Sequence, residues 1–240
     1  GTFLHGLMNY SEHDRIHAHI NQIRSDSGGT VSGRFSYNHP NLQQVPSRGQ
    51  FAKEIRKLFI PEVGQYWLKA DYSQQEPRLL THWACLDFHQ QTADMAGVER
   101  RLAKTIGLGV MYGMGYNKLA RELDIEPPEA KKMLADFRER VPFMQGMLEA
   151  VMNRANTKGI IRTLLGRKCR FDLWEPTQWG VHKALPHNQA KVEYGDAIKR
   201  AGTYKALNRL IQGSAADQTK KAMVDVYEQT GIIPHIQVHD

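Results

Sequence analysis

Two stretches of the chain combine a run of hydrophobic residues with an acid at the last position. In IIPHIQVHD (232–240), a period of two places Ile236 and Asp240 on the same side, with polar residues on the other. The pattern predicts a half-buried strand that ends in a carboxylate. QYWLKAD (65–71) is predicted to be a second strand, and it ends on Asp71.

Helical periodicity and the positions of proline and glycine predict the helices. Pro77 suits the first turn of a helix through Leu80 and Trp83, because no hydrogen-bonded N–H is needed there. The other predicted helices are 99–112 (weakened by Gly107 and Gly109), 127–141, and 204–229, which Gly231 and Pro234 stop.

The remaining patterns predict short extended elements and loops. GIIRTLLGRKCRF (159–171) is typical of a β-hairpin that turns near Gly166. Residues 21–50 are rich in Ser, Gly, Asn, Gln and Pro, which favours loops and short turns. Strands and helices mix without a regular βαβ rhythm, so we expect an α+β fold.

Composition narrows the class of partner and the compartment. The 240 residues carry a formal net charge of +7, which favours a polyanionic partner. Cys85 and Cys169 fit no metal-ligand spacing and indicate a reducing compartment. No apolar run approaches about 18 residues, so no membrane span is expected, and the first ten residues do not resemble a signal peptide.

The two strand-ending acids are the first candidates for chemistry. If the two strands were adjacent, Asp71 and Asp240 could hold two metal ions about 3.5–4 Å apart, which clamp the attacking and leaving oxygens of a phosphoryl transfer. The alternative is that each is an ordinary turn aspartate, since that residue type is common in turns. Spacing alone leaves both possibilities open.

Five motifs, in order, resemble those of family A DNA polymerases, which include bacterial DNA polymerase I and many phage replicases. DYSQQEPRLL (71–80), RRLAKTIGLGVMYG (100–113) and QVHD (237–240) resemble the first, second and third polymerase motifs. SGRFSYNHPNLQQVP (32–46) and NRLIQGSAADQTKKAM (208–223) are further matches. Any one motif alone would be weak, but the ordered set spans nearly the whole chain.

The resemblance implies a polymerase palm, with an antiparallel sheet and packed helices, and mostly helical fingers. The implied segments are 1–80 for the first part of the palm, 81–203 for the fingers with the nucleotide-binding helix 99–113, and 204–240 for the second part of the palm. We expect no exonuclease domain and little or no thumb before Arg34. The spacing from Asp71 to Arg100 is shorter than is usual in the family.

The second motif carries a cationic stripe. Arg100, Lys104, Leu108 and Tyr112 follow one another at steps of four, so a helix presents them on one face. Two cations followed by an aromatic residue suit a triphosphate beneath a stacked base, and a solvated basic face is the alternative. The resemblance assigns these residues to nucleotide binding: Gln74, Glu76, His89, Arg100, Lys104, Leu108 and Tyr112.

Metal and DNA contacts also follow from the resemblance. Two Mg²⁺ ions would be held by Asp71, Asp240 and the carbonyl of Tyr72. Glu76 would lie beneath the sugar and exclude a 2′-hydroxyl, although the helix dipole alone also favours an acid in a first turn. The residues implied to contact DNA are Arg34, Asn208, Gln212, His239 and, beside the templating base, Gly113. Amide side chains can bind the minor-groove acceptors common to all base pairs.

The resemblance therefore implies a template-directed DNA polymerase that extends a primer 3′ end by two-metal phosphoryl transfer, with Arg100 and Lys104 beside the leaving pyrophosphate. The expected partners are primer-template DNA and deoxynucleoside triphosphates. A monomer is expected, in the cytoplasm, which is the host's if the protein is phage-encoded. The alternative is a non-catalytic nucleic-acid-binding remnant of the same fold, and a metal-dependent nuclease is weaker still. Retention of both acids and both cations argues against the remnant, because binding alone needs no such set.

Overall fold

The computed structural model describes residues 2–25, 28–47, 49–83, 106, 109, 114–140, 142–178, 180 and 182–238. Its α-helices are α1 (Thr2–Met8), α2 (Ala52–Lys57), α3 (Gln75–Trp83), α4 (Tyr116–Leu123), α5 (Pro127–Arg140), α6 (Pro142–Lys158), α7 (His187–Tyr194) and α8 (Ala206–Thr230). Its strands are β1 (Ser11–Glu12), β2 (Arg15–Ile16), β3 (His19–Asn21), β4 (Ser36–Asn38), β5 (Ile160–Arg162), β6 (Lys168–Arg170), β7 (Leu173–Pro176), β8 (Leu185–Pro186) and β9 (Ile198–Arg200). Helices combined with small antiparallel sheets confirm the α+β class.

The chain divides into two compact units. The first unit contains residues 1–75 and 215–240, and the second unit contains residues 76–214. The boundary between 214 and 215 falls inside α8, so this helix contributes residues to each unit. Among the described residues, no helix is long and apolar enough to cross a membrane.

The first unit has a small core beside two short pairs of antiparallel strands. β1 pairs with β2, and β3 pairs with β4 in a register that sets Ile20 opposite Tyr37. Leu7, Tyr37 and Leu42 are buried together, and Phe59 packs against them. The core therefore fixes the middle of β4, because Tyr37 belongs both to the strand and to the buried cluster.

The two predicted strands that lead to acids are wrong for the residues that the structure describes. Residues 65–71 and 232–238 form neither helix nor strand, and neither range belongs to one of the sheets. Alternation yields a stable strand only where neighbouring strands and a covered face complete it. Here the side chains of Tyr66 and Leu68 are largely exposed instead.

The second unit contains the hairpin that the sequence predicts. β5 pairs with β6, and the turn between them passes through Gly166 at φ +84°, a backbone conformation that favours glycine. Ile161 and Phe171 lie in a buried cluster with Ala155 and Leu210. The hairpin, the end of α6 and the start of α8 therefore share one core.

The helix predictions are confirmed where the structure describes them. α3 has Pro77 in its first turn, and α5 and α8 match the predicted ranges to within two residues at each end. α8 ends before Gly231, whose φ is +71° and whose N–H donates to the Tyr227 carbonyl at 2.8 Å. In the predicted helix 99–112, Ile106 and Gly109 are helical and the other residues lie outside the described ones.

Candidate active site

Asp71 lies on the surface of the first unit, in the irregular residues before α3. Its side chain and that of Tyr72 are exposed, and the backbone turns at Gln74, with φ +54°, just before the helix begins. Carboxylate and carbonyl oxygens are the ligands that Mg²⁺ prefers, so the donor chemistry at Asp71 and Tyr72 fits the expected metal. In the described part of the chain, no three His, Cys, Asp or Glu residues lie together as a metal cluster.

The buried side-chain amide of Gln75 links the start of α3 to α8 by hydrogen bonds. Gln75 is 4% exposed, and its Nε2 lies 3.3 Å from the carbonyl oxygen of Ala215, 3.2 Å from Gln218 Oε1 and 3.1 Å from Thr219 Oγ1. These hydrogen bonds join the first polymerase motif to the motif on α8. Sequence reasoning missed Gln75, because a glutamine within a polar run gives no sign that it will be buried.

Glu76, which follows Gln75 in the chain, is also buried. Its side chain is 9% exposed and it is the acid in the first turn of α3, where the helix dipole favours negative charge. A carboxylate is costly to bury unless polar groups stabilise it. The burial of Glu76 therefore indicates that its side chain is held in one position and does not move freely in solvent.

Four of the five motifs contribute residues to one small cavity in the first unit. Arg34 comes from the earliest motif, Gln75 from the first polymerase motif, Gln237 from the third, and Thr219 and Lys220 from the motif on α8. The described lining includes two cations and no carboxylate. The cavity itself has room only for a water-sized group, and its lining shows that these four motifs meet within the first unit.

The residues that lead to Asp240 are held against β4 and the turn after it. The N–H of Gln237 donates to Tyr37 Oη at 3.0 Å, and the Gln237 carbonyl accepts from Gln43 Nε2 at 3.2 Å. Side-chain hydrogen bonds therefore hold Gln237 in place, where strand pairing had been predicted. Tyr37 and Gln43 lie in the matched motif 32–46, but their contacts with Gln237 were not predicted, since residues 21–50 were expected to form loops and short turns.

The predicted DNA contacts on α8 lie four residues apart, as expected for one face of a helix. Asn208 and Gln212 are half-buried and belong to the second unit. The hairpin packs beside them, where Ser214 Oγ accepts from the N–H of Leu164 at 3.0 Å. Asn208 Oδ1 is buried and accepts no hydrogen bond from the residues that the structure describes.

Several predicted site residues lie outside the described residues, and their roles stay predictions. These residues are His89, Arg100, Lys104, Leu108, Tyr112, Gly113, His239 and Asp240. The structure thus brings Arg34 together with Gln75 and Gln237, while the second polymerase motif contributes nothing described to this cavity.

Comparison with known proteins identifies the class of fold and then the family. The structure is similar to the POL domain of Pol1 from M. smegmatis, solved in complex with DNA primer-template and dNTP, with a TM-score of 0.74, 28% identity, and coverage of 100% of this chain and 43% of that one. This likeness shows that the chain has the fold of part of a polymerase domain. The model of DNA polymerase family A matches residues 1–240, and the chain belongs to that family.

Two relatives show how much of a longer protein the chain matches. A DNA-directed DNA polymerase of Pseudomonas phage M6 is 35% identical over 306 residues, covering 100% of this chain and 43% of the relative. The thermostable DNA polymerase I of Thermus aquaticus is 32% identical, covering 94% of this chain and 27% of its own. The chain therefore spans less than half the length of these relatives. The match to the phage protein is longer than the 240 residues here, so that relative has residues without a counterpart in this chain.

Proposed function

We propose that the protein containing this chain is a template-directed DNA polymerase that adds deoxynucleotides to a primer 3′ end. The observation that carries the proposal is the cavity shared by four motifs, in the same compact unit as Asp71. Family membership supports it, and so does the similar Pol1 domain, which was solved with primer-template and dNTP. In this proposal, residues 1–80 and 204–240 form the palm and residues 81–203 form the fingers.

The metal site would be formed by Asp71, Asp240 and the carbonyl of Tyr72. Two Mg²⁺ ions, when bound, supply charge neutralisation at the attacking and leaving oxygens. Because Asp71 is exposed, it can reach a cation without disturbing a buried core. Arg100 and Lys104 would bind the phosphates of the incoming nucleotide and neutralise the leaving pyrophosphate.

The other residues position the substrates. Glu76 is buried, which supports a fixed wall beneath the sugar that excludes a 2′-hydroxyl. Arg34 lies where four of the motifs meet, and the family resemblance assigns it to the primer end. Asn208 and Gln212, one turn apart, suit the degenerate hydrogen-bonding pattern of the minor groove, which a polymerase must read equally for every sequence. A cytoplasmic monomer is part of the same proposal.

Primer extension by the full-length protein tests the proposal, with Asp71→Asn as the variant and Asp136→Asn as the matched control. Asp136 is also an exposed aspartate, on α5, and it belongs to none of the motifs. We expect the wild type and the control to extend a primer, and Asp71→Asn to bind the same DNA without extending it. A wild-type protein that binds primer-template but incorporates no nucleotide would favour the non-catalytic remnant.

A further inference from the structure

We propose that Ser214 and Arg167 are positioning residues that hold the side-chain amide of Gln212 in register with the DNA minor groove. The inference rests on the proposed function, in which Asn208 and Gln212 bind minor-groove acceptors. Neither Ser214 nor Arg167 is expected to touch a base. Each would act through the backbone of α8, at the two residues that follow Gln212.

The turn of the β5–β6 hairpin is closed by its own hydrogen bonds. The N–H of Gly166 donates to the Thr163 carbonyl at 2.9 Å, and the N–H of Thr163 donates to the Arg167 carbonyl at 3.0 Å. Thr163 is 3% exposed, and its hydroxyl donates to the same Arg167 carbonyl at 3.3 Å. The turn is therefore a defined structure that can hold a neighbouring helix in place.

Ser214 joins this turn to α8. Its Oγ accepts a hydrogen bond from the Leu164 N–H at 3.0 Å and donates one to the Leu210 carbonyl at 2.8 Å. Ser214 is 0% exposed, and a buried donor that loses its partner remains unsatisfied. Its hydroxyl therefore links the hairpin turn to one full turn of the helix.

Arg167 adds a second hydrogen bond to the same part of α8. Its side chain is half-buried, and its Nη2 donates to the Gly213 carbonyl at 3.0 Å. A charged donor forms a hydrogen bond about twice as strong as a neutral donor does. Gly213 directly follows Gln212, so the hairpin turn holds both of the residues next to that amide.

The amides of Asn208 and Gln212 remain available to a ligand. Both residues are half-buried, and neither side chain forms a hydrogen bond with the residues that the structure describes. A hydrogen bond to a base requires a donor–acceptor distance of about 2.7–3.2 Å and weakens steeply with angle. A small shift of α8 at Gly213 and Ser214 would therefore cost Gln212 its contact.

The test combines changes in the full-length protein with changes in the DNA. A 3-deazapurine lacks the N3 acceptor of the minor groove, and it is placed in turn at each base pair near the primer end. In the wild type it should lower kcat/KM for the next nucleotide about five- to tenfold at the pair that Gln212 contacts, the value of one hydrogen bond. Gln212→Ala identifies that pair, because it removes the sensitivity there.

Ser214→Ala and Arg167→Met should reduce the cost of the 3-deazapurine at that pair to less than about twofold, because a contact already lost cannot be lost again. Thr157→Val is the matched control, since the Thr157 hydroxyl also donates to a carbonyl four residues earlier, that of Asn153 on α6. This control should keep the full cost of the 3-deazapurine. If Ser214→Ala does not fold, Arg167→Met decides the point alone.

A variant that extends ordinary DNA more slowly but keeps the full cost of the 3-deazapurine overturns the positioning role, because a general structural defect or a lost phosphate contact slows both DNAs equally. Loss of the sensitivity in Thr157→Val overturns it as well. Hydrogen exchange at the Leu164 amide should become about five- to tenfold faster in Ser214→Ala. Unchanged exchange overturns the contact itself, whether or not the protein extends primers. A wild-type protein that fails to extend primers refutes the proposed function instead.

Discussion

The hairpin β5–β6 and the segments beside the two acids differ in how their structure is maintained. The hairpin is closed by its own turn and buries Ile161 and Phe171 in a shared core. Residues 65–71 and 232–238 are irregular, mostly exposed and, for 232–238, held through single side chains such as Tyr37. We therefore expect the hairpin region to contribute mainly to stability, and the segments with the acids to contribute mainly to the proposed chemistry.

The largest effect should come from Asp240, which is predicted to hold the metals with Asp71. Asp240→Asn should lower nucleotide incorporation by at least about a thousandfold, since several kcal/mol of transition-state stabilisation are lost at 1.4 kcal/mol per tenfold. Single-turnover incorporation measures the loss, and fluorescence anisotropy should show unchanged DNA binding. Residual incorporation near the wild-type rate would remove the distinction between the two regions.

The converse prediction concerns the hairpin. Ile161 is 2% exposed, so Ile161→Ala should lower the free energy of unfolding by about 2–5 kcal/mol while kcat per folded molecule stays the same. Urea unfolding and active-site titration separate the two quantities. Leu165→Ala, at an exposed position in the turn of the same hairpin, is the control and should change stability little. A selective loss of kcat in Ile161→Ala would contradict the assignment of this region to stability.

Glu76 is buried, as the residues of the hairpin core are, and it also has a proposed function, as Asp71 and Asp240 do. Glu76→Ala should reduce the preference for deoxynucleotides over ribonucleotides by about ten- to a hundredfold, because one steric contact with the substrate is removed. The ratio of kcat/KM for the two substrates is the measurement. Glu54→Ala is the matched control, an exposed acid in the first turn of α2. If both variants keep the wild-type ratio, Glu76 is only a helix-start residue.

A smaller effect is predicted for Leu108, between Lys104 and Tyr112 on the predicted nucleotide face. In family A, this position governs acceptance of sugars that lack a 3′-hydroxyl, and a Tyr there can replace the missing oxygen as a polar partner. Leu108→Tyr should relax discrimination against dideoxynucleotides by about five- to tenfold, the value of one hydrogen bond. The ratio of incorporation efficiencies for deoxy and dideoxy substrates tests it. No change would place Leu108 away from the sugar.

The smallest effect is expected on the exposed surface of α8. A hydrogen bond and the negative charge of Asp225 raise the pKa of Lys221 above its usual value. Any stabilisation from this pair is present below the usual lysine pKa and fades as the pH rises through the raised one. Asp225→Asn should lower the pKa of Lys221, which NMR titration measures, while Tm at neutral pH stays the same because solvent screens the pair. A clear drop in Tm would show that stability is not confined to buried regions.

Sequence patterns predicted the elements whose stability is local. The hairpin carries its own turn at Gly166, and α8 carries its own stop at Gly231. The strand predictions for 65–71 and 232–238 were wrong, because a strand depends on a neighbouring strand, and the sequence pattern does not show whether one is present. The motifs named Asp71, Glu76 and Arg34 by resemblance. The contacts of Gln75, Tyr37 and Gln43 were missed, since a polar residue in a loop gives no sign of its long-range partner.

The amide of Gln75 has a consequence for tolerance to substitution. It has two hydrogens and three acceptors within reach, the Ala215 carbonyl, Gln218 Oε1 and Thr219 Oγ1. Either polar side chain on α8 can be replaced without leaving a buried donor unsatisfied, because two acceptors remain. One of them is a backbone carbonyl that no substitution removes. Replacing Gln218 or Thr219 singly therefore leaves the Gln75 amide with acceptors for both of its hydrogens, whereas Gln75, the shared donor, has no such redundancy.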